Sequence, residues 1–500
     1  MNLIGGLINF SRLVVYRYLT VVFTVLFAAL ASAASKPPGG LSIDTSGVDP
    51  VLRWEFPGSD PNGMVRYVLK TRHASQSSFV NQGSVPSTAT GYKLSGLKYP
   101  VSEYKFLLVS EGGSGTSAPS ESIEILPNCS QSAFGLALTK NIQLGIVNHT
   151  IQIPRGTCSW QAGKTTIPGG LYIKGSGKSY TKIISSIDSS KNLITYDCAN
   201  GRRAIISDIS FARLTSLPTS PAYGLKLNNS CQKFHVYRNS FSYFLGASLT
   251  VSGDSYVQYG VINQNEFKNA FFVNSFTPPY YSLGYGVLVY GNGATGTTPL
   301  ILGAEKNVYV ENNTFSHHRH SIASNNGSRY VFRYNTIIDN ASNYIAMDAH
   351  GKGSAPRGSR SYEIYENTIK ISPVSTTDKY LVILDGKNTP VEFGGNQFAG
   401  AGIRGGDGVI FNNKFLGTVS NPIYLTVESC SSLTSTGPIP DQITSAYIWG
   451  NTVTSNSGVT GSAKVTNACT KYLQQNKHYF LTTRPGYVPY PYPHGLAKTY

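Results

Sequence analysis

The sequence predicts a right-handed parallel β-helix, and three observations support this fold class. A short frame recurs in the segments NVYVENNTF, RYVFRYNTI, SYEIYENTI and DGVIFNNKF, each with apolar residues at fixed positions around an asparagine. The frame repeats at irregular intervals, as expected for stacked coils with loops of variable length. Charged residues make up only 13% of the chain, while Gly (51) and Tyr (33) are abundant. This composition is typical of a turn-rich all-β protein and not of a disordered one.

The repeated frame is a short strand that ends at an inward asparagine and turns a corner. One coil cannot bury its apolar face alone, but a second coil stacked on it can. Strand alternation places the residues at −3 and +2 from the asparagine inside, and those at −2 and −4 outside. Each asparagine can bond its own turn and the asparagines of the coils above and below. The corner positions are Asn239, Asn265, Asn313, Asn335, Asn367, Asn396, Asn413 and Asn451.

The N-terminal segment, residues 1–33, is predicted to be a signal peptide. Arg12 and Arg17 precede an apolar core, and Ala31-Ser32-Ala33 is a cleavage signal of the A-x-A kind. The alternative is an uncleaved anchor. Residues 34–40, rich in Pro and Gly, are predicted to be a linker. These features predict a protein that is secreted, periplasmic or held at the cell surface.

Residues 41–126 carry a separate pattern that predicts a small β-sandwich. Short alternating strands contain Trp54, Tyr67 and Tyr104, and the length of this segment suits a sandwich. The order of its aromatic residues is similar to that of fibronectin type III modules. The resemblance implies a spacer or an adhesion module without chemistry, in which Trp54 and Tyr104 belong to the core.

The six cysteines are expected to form disulfides, because their number is even and the chain has an export signal. They are Cys129, Cys158, Cys198, Cys231, Cys430 and Cys469. The sequence alone allows fifteen pairings of six cysteines. Pairing of neighbours is favoured, because the first and last bridges would then clamp the two ends of the solenoid, where a coil has no neighbour.

The β-helix is predicted to cover residues 128–470. The segment that begins at Cys129 resembles the opening of many exported β-helix proteins, and this resemblance implies a capping helix at Ser132–Thr139. Residues 471–500 form a Pro/Tyr-rich tail that is expected to wrap the surface. The tail is interpreted as a seal on the last coil. The alternative is a sugar-binding platform made by Tyr487, Tyr490 and Tyr492.

Three segments depart from the plain repeat and indicate a functional site on one face of adjacent coils. They are HHRHSI at 317–322, IAMDAHGK at 345–352 and GIRGGDG at 402–408, with Asp385 between the last two. Asp348 and His350 are two residues apart and share a strand face, where the carboxylate can orient the imidazole. The candidate residues in these segments are His317, His318, Arg319, His320, Asp348, His350, Lys352, Asp385, Arg404 and Asp407.

A second column of candidates comes from the outward positions of the repeat strands. Glu311, Arg333 and Tyr365, with Glu363 beside them, alternate acid, base and aromatic side chains. An exposed sheet with this pattern suits an extended saccharide. The alternative for Arg333 is a surface ion pair with Glu311, which would contribute little.

The charge of the chain favours an acidic partner. The net charge is +16, from 41 basic and 25 acidic residues. A strongly basic protein favours polyanions, here an acidic polysaccharide. Nucleic acid is a poor candidate, because the sequence lacks a recognition motif and basic–aromatic interleaving. No membrane contact is expected beyond the leader, and a monomer is expected.

Residues 128–495 resemble bacterial exported β-helix proteins of the pectate-lyase-like superfamily. The resemblance rests on H-R-H-S-I-A-S, G-S-R-Y-V-F-R-Y-N, M-D-A-H-G, G-S-R-S-Y-E-I-Y-E-N, I-R-G-G-D-G-V-I-F-N-N and the terminal Y-x-P-Y-x-Y-P-H. The resemblance implies one of the activities found in that superfamily: polysaccharide lyase, hydrolase, uronate epimerase or non-enzymatic adhesin. D-A-H-G at 348–351 is similar to the D-P-H-D of alginate C5-epimerases, with Ala for Pro and Gly for the second Asp. The calcium-binding acidic clusters of pectate lyases are not matched, and Ca²⁺ is the one cofactor considered, with Asp348, His350 and Asp385 as ligands.

The leading hypothesis is a lyase acting on a uronate-containing polysaccharide. β-Elimination needs the uronate carboxylate neutralised, a base at the C5 proton and an acid at the leaving oxygen. Arg333 and Arg404 are assigned to the carboxylate, His320 or His350 to the proton, and Tyr365 to the leaving oxygen. An epimerase would share the first step. A hydrolase would use the two carboxylates of Asp348 and Asp385, and a non-catalytic adhesin is the alternative outside enzymes.

Overall fold

The chain is a right-handed parallel β-helix preceded by a small β-sandwich, as the computed structural model shows. The structure describes residues 38–55, 64–112, 115–117, 119–185, 191–199, 201–213, 222–270, 283–293, 300–339, 345–353, 355–372, 380–384, 387–391, 397–428, 430 and 440–498. The predicted signal peptide, most of the linker, and the predicted residues Asp385 and Asn396 lie outside these ranges. The chain divides into two compact units, one up to Glu124 and one from Ile125.

The first unit is a two-sheet β-sandwich. One antiparallel sheet contains Gly39–Asp44, Val51–Glu55 and Gly91–Lys93. The other contains, in spatial order, Val80–Pro86, Met64–His73, Tyr104–Gly112 and Ser122–Ile125, with Gly115–Thr116 paired to Tyr104–Gly112 and the 3₁₀ turn Val101–Glu103 before it.

The core of the sandwich forms around aromatic side chains. Trp54 and Tyr67 are 4% and 0% exposed, and their rings meet edge to face at 5.4 Å. Tyr104 is 8% exposed. Trp54 and Tyr104 are therefore core residues, as the alternating pattern predicted.

The second unit winds through three parallel sheets in each coil. We number them in chain order. Sheet 1 consists of His149–Gln152, Leu171–Lys174, Ile205–Ser207, Gln232–Tyr237, Tyr259–Asn263, Val308–Glu311, Arg329–Arg333, Ser361–Tyr365, Asp407–Phe411, Ala446–Trp449 and Tyr479–Phe480. Sheet 2 consists of Gly156–Trp160, Thr181–Ser185, Ser210–Arg213, Ser240–Ser242, Glu266–Lys268, Thr314–Ser316, Thr336–Ile338, Thr368–Lys370, Lys414–Leu416 and Thr452–Thr454, with Thr460–Ser462 antiparallel at its end.

Sheet 3 completes each coil and positions the candidate site. It consists of Thr166–Pro168, Asn192–Asp197, Tyr223–Asn228, Ala247–Ser252, Tyr285–Tyr290, His320–Asn325, Ile345–Ala349, Gln397–Ile403, Val419–Leu425 and Val465–Asn467. A separate antiparallel hairpin joins Tyr380–Leu384 to Lys387–Val391. A short 3₁₀ turn, Gly495–Lys498, lies near the C-terminus.

The corner asparagines form a buried ladder between sheets 1 and 2. Asn335 shows the pattern, because its amide nitrogen donates to Asn367 Oδ1 at 3.1 Å and to the Val310 carbonyl at 2.9 Å. Its own Oδ1 accepts from the backbone and side-chain nitrogens of Asn313 at 3.0 and 3.1 Å. The same contacts link Asn239, Asn265, Asn313, Asn335, Asn367, Asn413 and Asn451. The inward asparagine that the repeat predicted is therefore confirmed at these corners.

The apolar residues around each corner asparagine fill the core. Val310 and Phe315, at −3 and +2 from Asn313, are both 0% exposed. The +2 aromatic rings stack from coil to coil, with Phe267 and Phe315 at 4.8 Å between ring centroids. Stacked rings bury large apolar areas and fix the register of successive coils.

A capping helix closes the N-terminal end of the β-helix. It spans Gln131–Gln143, longer than the predicted Ser132–Thr139, and Ser130 caps it by accepting from the Ala133 N–H at 3.2 Å. Phe134 packs against the Trp160 ring at 5.1 Å. The helix therefore covers apolar core that no further coil would bury.

Three disulfides join neighbouring cysteines, the pairing that the sequence favoured. They are Cys129–Cys158, Cys198–Cys231 and Cys430–Cys469. The first lies beside the capping helix, and the last lies at the final coils. Within the described residues, no helix has the length and apolar character needed to cross a membrane.

The C-terminal tail does not seal the last coil alone. It runs back over the outer face of sheet 1, where the Tyr487 hydroxyl donates to Glu363 Oε2 at 2.6 Å and the His494 N–H donates to Glu311 Oε1 at 3.0 Å. Tyr487 also packs edge-on against Phe411 and Trp449. We call residues 481–498 the C-terminal strap. The outer face of sheet 1, predicted to be exposed, is covered by it.

Candidate active site

A cluster of ionisable side chains lies on the outer face of sheet 3, around the carboxylate of Asp348. Asp348 stands on the strand Ile345–Ala349, where alternation turns it away from Met347 and Ala349 in the core. It is nevertheless 0% exposed. A buried carboxylate needs a partner to remain charged, and Arg404 supplies one.

Arg404 binds Asp348 with two parallel hydrogen bonds. Its Nε donates to Asp348 Oδ1 at 3.1 Å and its Nη2 donates to Oδ2 at 2.6 Å. Gly402 pairs with Asp348 across the sheet, and a Cβ atom at this position would lie 2.6 Å from the Ile345 side chain. Burial opposes ionisation of Asp348, but the Arg404 guanidinium outweighs it with the help of His320 and His350, so the pKa of Asp348 is lowered.

Glu428 completes an ionic triad with Asp348 and Arg404. The third guanidinium nitrogen, Nη1, lies 3.3 Å from Glu428 Oε1 and 3.1 Å from Oε2. Glu428 sits two residues before Cys430, whose disulfide to Cys469 anchors this segment. One cation is thus held between two carboxylates.

His350 is the accessible titratable group beside the triad. Its side chain is 29% exposed, and Nδ1 lies 3.5 Å from Glu428 Oε2. Nδ1 also lies 3.0 Å from the Gly351 carbonyl, so this nitrogen carries the proton and donates. In the neutral ring Nε2 is then the basic atom.

Glycine is needed at position 351 for a steric reason. A Cβ atom at this position would lie 2.4 Å from the Cβ of Glu428. Glycine therefore lets Glu428 approach His350. The D-A-H-G segment is thus tied to Glu428, a residue that the repeat pattern did not mark.

His320 and Tyr285 form the other side of the cluster. His320 is 3% exposed and donates from Nδ1 to the Ile345 carbonyl. Burial lowers the pKa of His320 to about 3, so the ring is neutral near pH 7. Tyr285 pairs with His320 across the sheet, with ring centroids 5.6 Å apart, and Arg319 lies over the Tyr285 ring at 5.8 Å.

The Tyr285 hydroxyl keeps its proton over a wide pH range. Burial raises the pKa of Tyr285, and the charge of Asp348 adds to this effect, while Arg319 and Arg404 act against it. A phenol that keeps its proton can serve as a proton donor.

A cleft continues the outer face of sheet 3 toward the N-terminal coils. It has a volume of about 380 Å³ and is lined by Asn192, Tyr223, Lys226, Thr250, Ser252, Leu288 and Tyr290. Thr250 pairs with Leu288, and Leu288 pairs with Ala323. On the next strand, Met347 is the partner of Ile322. The residues that follow this pair, Ala323 and Asp348, therefore lie side by side, and Asp348 continues the row of Thr250, Leu288 and Ala323. The cleft and the triad therefore share one face, with neighbouring strands about 4.8 Å apart.

Not all predicted site residues reach this face. The structure brings together Arg319, His320, Asp348, His350 and Arg404, and places the exposed Lys352 two residues after His350. His318 is fully buried beside Phe315, and burial lowers the pKa of His318 to about 3. His317 hydrogen-bonds to Asn269 at 2.7 Å.

Asp407 begins a strand of sheet 1 rather than sheet 3. Its carboxylate accepts from the Thr444 and Ser445 N–H groups at 2.7 and 2.6 Å. It therefore fixes a turn between coils. Asp385 lies outside the described residues, so its position relative to Asp348 is not described.

The predicted second column lies under the C-terminal strap. Arg333 is 0% exposed and binds Glu311, at 2.6 Å from Nη2, and the Tyr365 hydroxyl, at 2.9 Å. It also donates to the carbonyls of Tyr490 and Pro491. Glu363 accepts from the Gly303 N–H at 3.0 Å as well as from Tyr487. Alternation put these side chains outward correctly, but the strap, not solvent, covers them.

The cluster does not suit a calcium ion. Both oxygens of Asp348 are committed to Arg404, whose positive charge also faces Glu428. A hard cation prefers free carboxylate oxygens. Within the described part of the chain, no three His, Cys, Asp or Glu side chains converge in a metal-binding arrangement.

Sequence reasoning missed Glu428, Tyr285 and the cleft. Glu428 lies in a TVESC segment that carries no repeat signature, although its closeness to Cys430 indicated an anchored position. The cleft residues are scattered over four coils, and the register of the strands brings them together.

No protein-family model and no curated protein matches this chain. Several solved structures are similar to it. A family 28 exopolygalacturonase of Yersinia enterocolitica is 14% identical, covering 86% of this chain and 98% of its own, with a TM-score of 0.32. A mannuronan C-5 epimerase A-module of Azotobacter vinelandii is 13% identical, covering 65% and 83%, with a TM-score of 0.39. A titin fragment is 24% identical over 18% of this chain, with a TM-score of 0.16, and this chain spans only 30% of it.

Proposed function

We propose that this protein is an exported carbohydrate-active enzyme that cleaves an acidic, uronate-containing polysaccharide by β-elimination. The observation that carries the proposal is the partly exposed imidazole of His350, held by Glu428 beside a buried Asp348–Arg404 pair, on the same face as the cleft. The predicted export signal and the three disulfides support an oxidising location outside the cytoplasm.

The cleft supports an extended acidic saccharide as the substrate. Tyr223 and Tyr290 offer aromatic faces, and Lys226 offers a positive charge, while Asn192, Thr250 and Ser252 offer hydrogen bonds. The net charge of +16 favours a polyanion over the whole molecule.

His350 is assigned the role of base. Its Nδ1–H is oriented by the Gly351 carbonyl and by Glu428, which leaves Nε2 to accept the C5 proton of a uronate. The carboxylate of Glu428 stabilises the imidazolium that forms. His320, the alternative base in the sequence analysis, is buried and less suited to receive a proton.

Tyr285 replaces Tyr365 as the proposed acid. Tyr365 lies under the C-terminal strap, whereas Tyr285 lies beside His320 and within electrostatic reach of Asp348. The C4–O4 bond breaks as the double bond forms between C4 and C5, and the Tyr285 hydroxyl protonates the departing oxygen.

Arg404 is assigned a positioning role, because its three nitrogens already face Asp348 and Glu428. Arg319 and Lys352 are the cations assigned to the uronate carboxylate. A hydrolase is less well supported, because a general acid carboxyl needs a raised pKa and the pKa of Asp348 is lowered. A C5-epimerase would share the first proton transfer.

The test is His350→Ala, measured for turnover and for polysaccharide binding separately. The proposal expects turnover to fall by about 10²–10⁴-fold, the usual contribution of an acid–base group, while the dissociation constant stays within a few-fold. The partly exposed His478 is the matched control, and His478→Ala should retain full turnover. Equal loss of binding and turnover in His350→Ala would instead favour a non-catalytic glycan-binding protein.

A further inference from the structure

A second group of polar side chains, most of them buried, lies at the corner between sheets 3 and 1. Its members are Tyr256, Gln258, Asn307, Arg329 and Ser361, which we call the corner cluster. Arg329 and Ser361 are paired residues on neighbouring strands, and Asn307 occupies the same position one strand earlier. The Arg329 guanidinium lies 4.8 Å from the centre of the Tyr256 ring.

The corner cluster contains an unusual number of unpartnered polar atoms. Within the part of the chain that the structure describes, six buried atoms of this cluster have no hydrogen-bond partner: the Tyr256 hydroxyl, both side-chain polar atoms of Gln258, Asn307 Nδ2, Arg329 Nε and the Ser361 hydroxyl. Buried polar groups are almost always satisfied in folded proteins. Something other than the described side chains must satisfy these atoms.

Most of these atoms are hydrogen-bond donors. The Arg329 Nε–H, the Asn307 amide and the Gln258 amide can only donate through their nitrogens, and the two hydroxyls can donate as well. Donors that surround a buried position favour an acceptor that carries negative charge.

Arg329 adds a positive charge that no nearby carboxylate pairs. It is 3% exposed, and no carboxylate among the described residues lies within 4.0 Å of its nitrogens. Its Nη2 donates to the Ile301 carbonyl at 3.3 Å. A buried charge without a partner is costly, and the face of Tyr256 supplies only part of the compensation.

The two carboxylates that flank the cluster on sheet 1 are committed elsewhere. Glu363, two residues after Ser361, accepts from Gly303 with one oxygen and from Tyr487 with the other. Asp407, which pairs with Ser361 on the neighbouring strand, accepts from Thr444 and Ser445. Neither therefore has a free oxygen for Arg329.

We propose that the corner cluster binds a small inorganic anion of halide size, with Arg329 as its positive partner. The anion accepts from Arg329 Nε, Asn307 Nδ2 and the hydroxyls of Tyr256 and Ser361. Its role is to compensate a buried charge and to tie together the corners of successive coils. This site uses none of the residues assigned to the proposed lyase site, so the proposal does not depend on that function.

Anomalous diffraction from crystals of the full chain tests the proposal directly, with sodium bromide replacing chloride. The expected result is a bromide peak within hydrogen-bonding distance of Arg329 Nε. Well-ordered density at that position without an anomalous peak means water and overturns the proposal.

Thermal unfolding provides a second test that does not need crystals. The melting temperature of the wild type should rise with bromide relative to gluconate at equal ionic strength, and this rise should disappear in Arg329→Met. Arg238→Met is the matched control, because Arg238 pairs with Asp208 at 2.8 Å and should keep the bromide response. An equal bromide response in Arg329→Met and in the wild type would contradict the proposal. If Arg329→Met does not fold, the bromide peak in the wild type decides.

Discussion

Arg404 shows how the structure changes the role of a residue that the sequence identified. Its place near Asp348 followed from a break in the repeat, and the two side chains do meet. The sequence analysis gave Arg404 to the substrate carboxylate, because the sequence cannot show which donors are already occupied. In the structure, Asp348 and Glu428 hold its nitrogens, so its positive charge organises the site.

We expect Asp348→Asn to destabilise the protein by about 1.5–3 kcal/mol, because it weakens two buried hydrogen bonds between charged groups while Arg404 keeps Glu428 as a partner. Denaturant unfolding measures this loss. Asp208→Asn is the matched control, since Asp208 pairs with the partly exposed Arg238, and a change of about 0–1 kcal/mol is expected there. Similar small changes in both variants would contradict the buried, paired state of Asp348.

Three buried histidines predict a loss of stability in acid. Burial lowers the pKa of His235, His318 and His320 to about 3, from an ordinary value near 6.5. Between these two values the unfolded chain binds more protons than the folded chain. Stability is therefore full above about pH 6.5 and falls by about 1.4 kcal/mol per pH unit for each histidine as the pH decreases toward 3.

The variant His318→Leu isolates one of these contributions. It should reduce the slope of unfolding free energy against pH by about 1.4 kcal/mol per pH unit over that range. Chemical denaturation at several pH values measures the slope. An unchanged slope in His318→Leu would mean that His318 is accessible to protons in the folded protein.

Among the elements, the asparagine ladder was the most predictable, because it follows from a local frame that repeats. Side-chain alternation around Asn313 was also correct, with Val310 and Phe315 in the core. What covers an outward face was not predictable, because the C-terminal strap contacts sheet 1 across more than 120 residues of sequence. A local pattern carries no information about so distant a partner.

Asn335→Ala should destabilise the β-helix by about 2–4 kcal/mol, since it removes the ladder bonds and leaves the buried backbone nitrogen of Asn313 without an acceptor. Asn456→Ala is the control, because Asn456 is exposed and its side-chain amide donates to the Thr418 hydroxyl at the surface at 3.2 Å. Denaturant midpoints compare the two variants. Equal midpoints would contradict the ladder's contribution to stability.

Arg333→Met tests whether the C-terminal strap has a structural role. Arg333 joins Glu311 on sheet 1 to two carbonyl groups of the strap. We expect a loss of about 3–5 kcal/mol, because Glu311 is left buried and unpaired, with turnover at saturating substrate unchanged below the new unfolding temperature. A loss of turnover with normal stability would restore Arg333 to the catalytic role that the sequence predicted.

At the scale of the whole molecule, composition and repeat predicted the fold class but not the reaction. The β-helix presents a long outer face on sheet 3, and register alone aligns the cleft with Asp348. The residues that supply the functional groups of this face, such as Tyr285 and Glu428, come from coils far apart in sequence. Their convergence is a property of the stack, which explains why the sequence located only part of the site.

The most direct test of the central claim is the ultraviolet absorbance of the purified protein incubated with a panel of acidic polysaccharides. β-Elimination creates a carbon–carbon double bond at each new uronate end, which absorbs in the ultraviolet. We predict that absorbance rises with at least one polymer, with calcium or with chelator, and that His350→Ala abolishes the rise. No rise with any uronate polymer that the protein binds would contradict a lyase at the sheet 3 site.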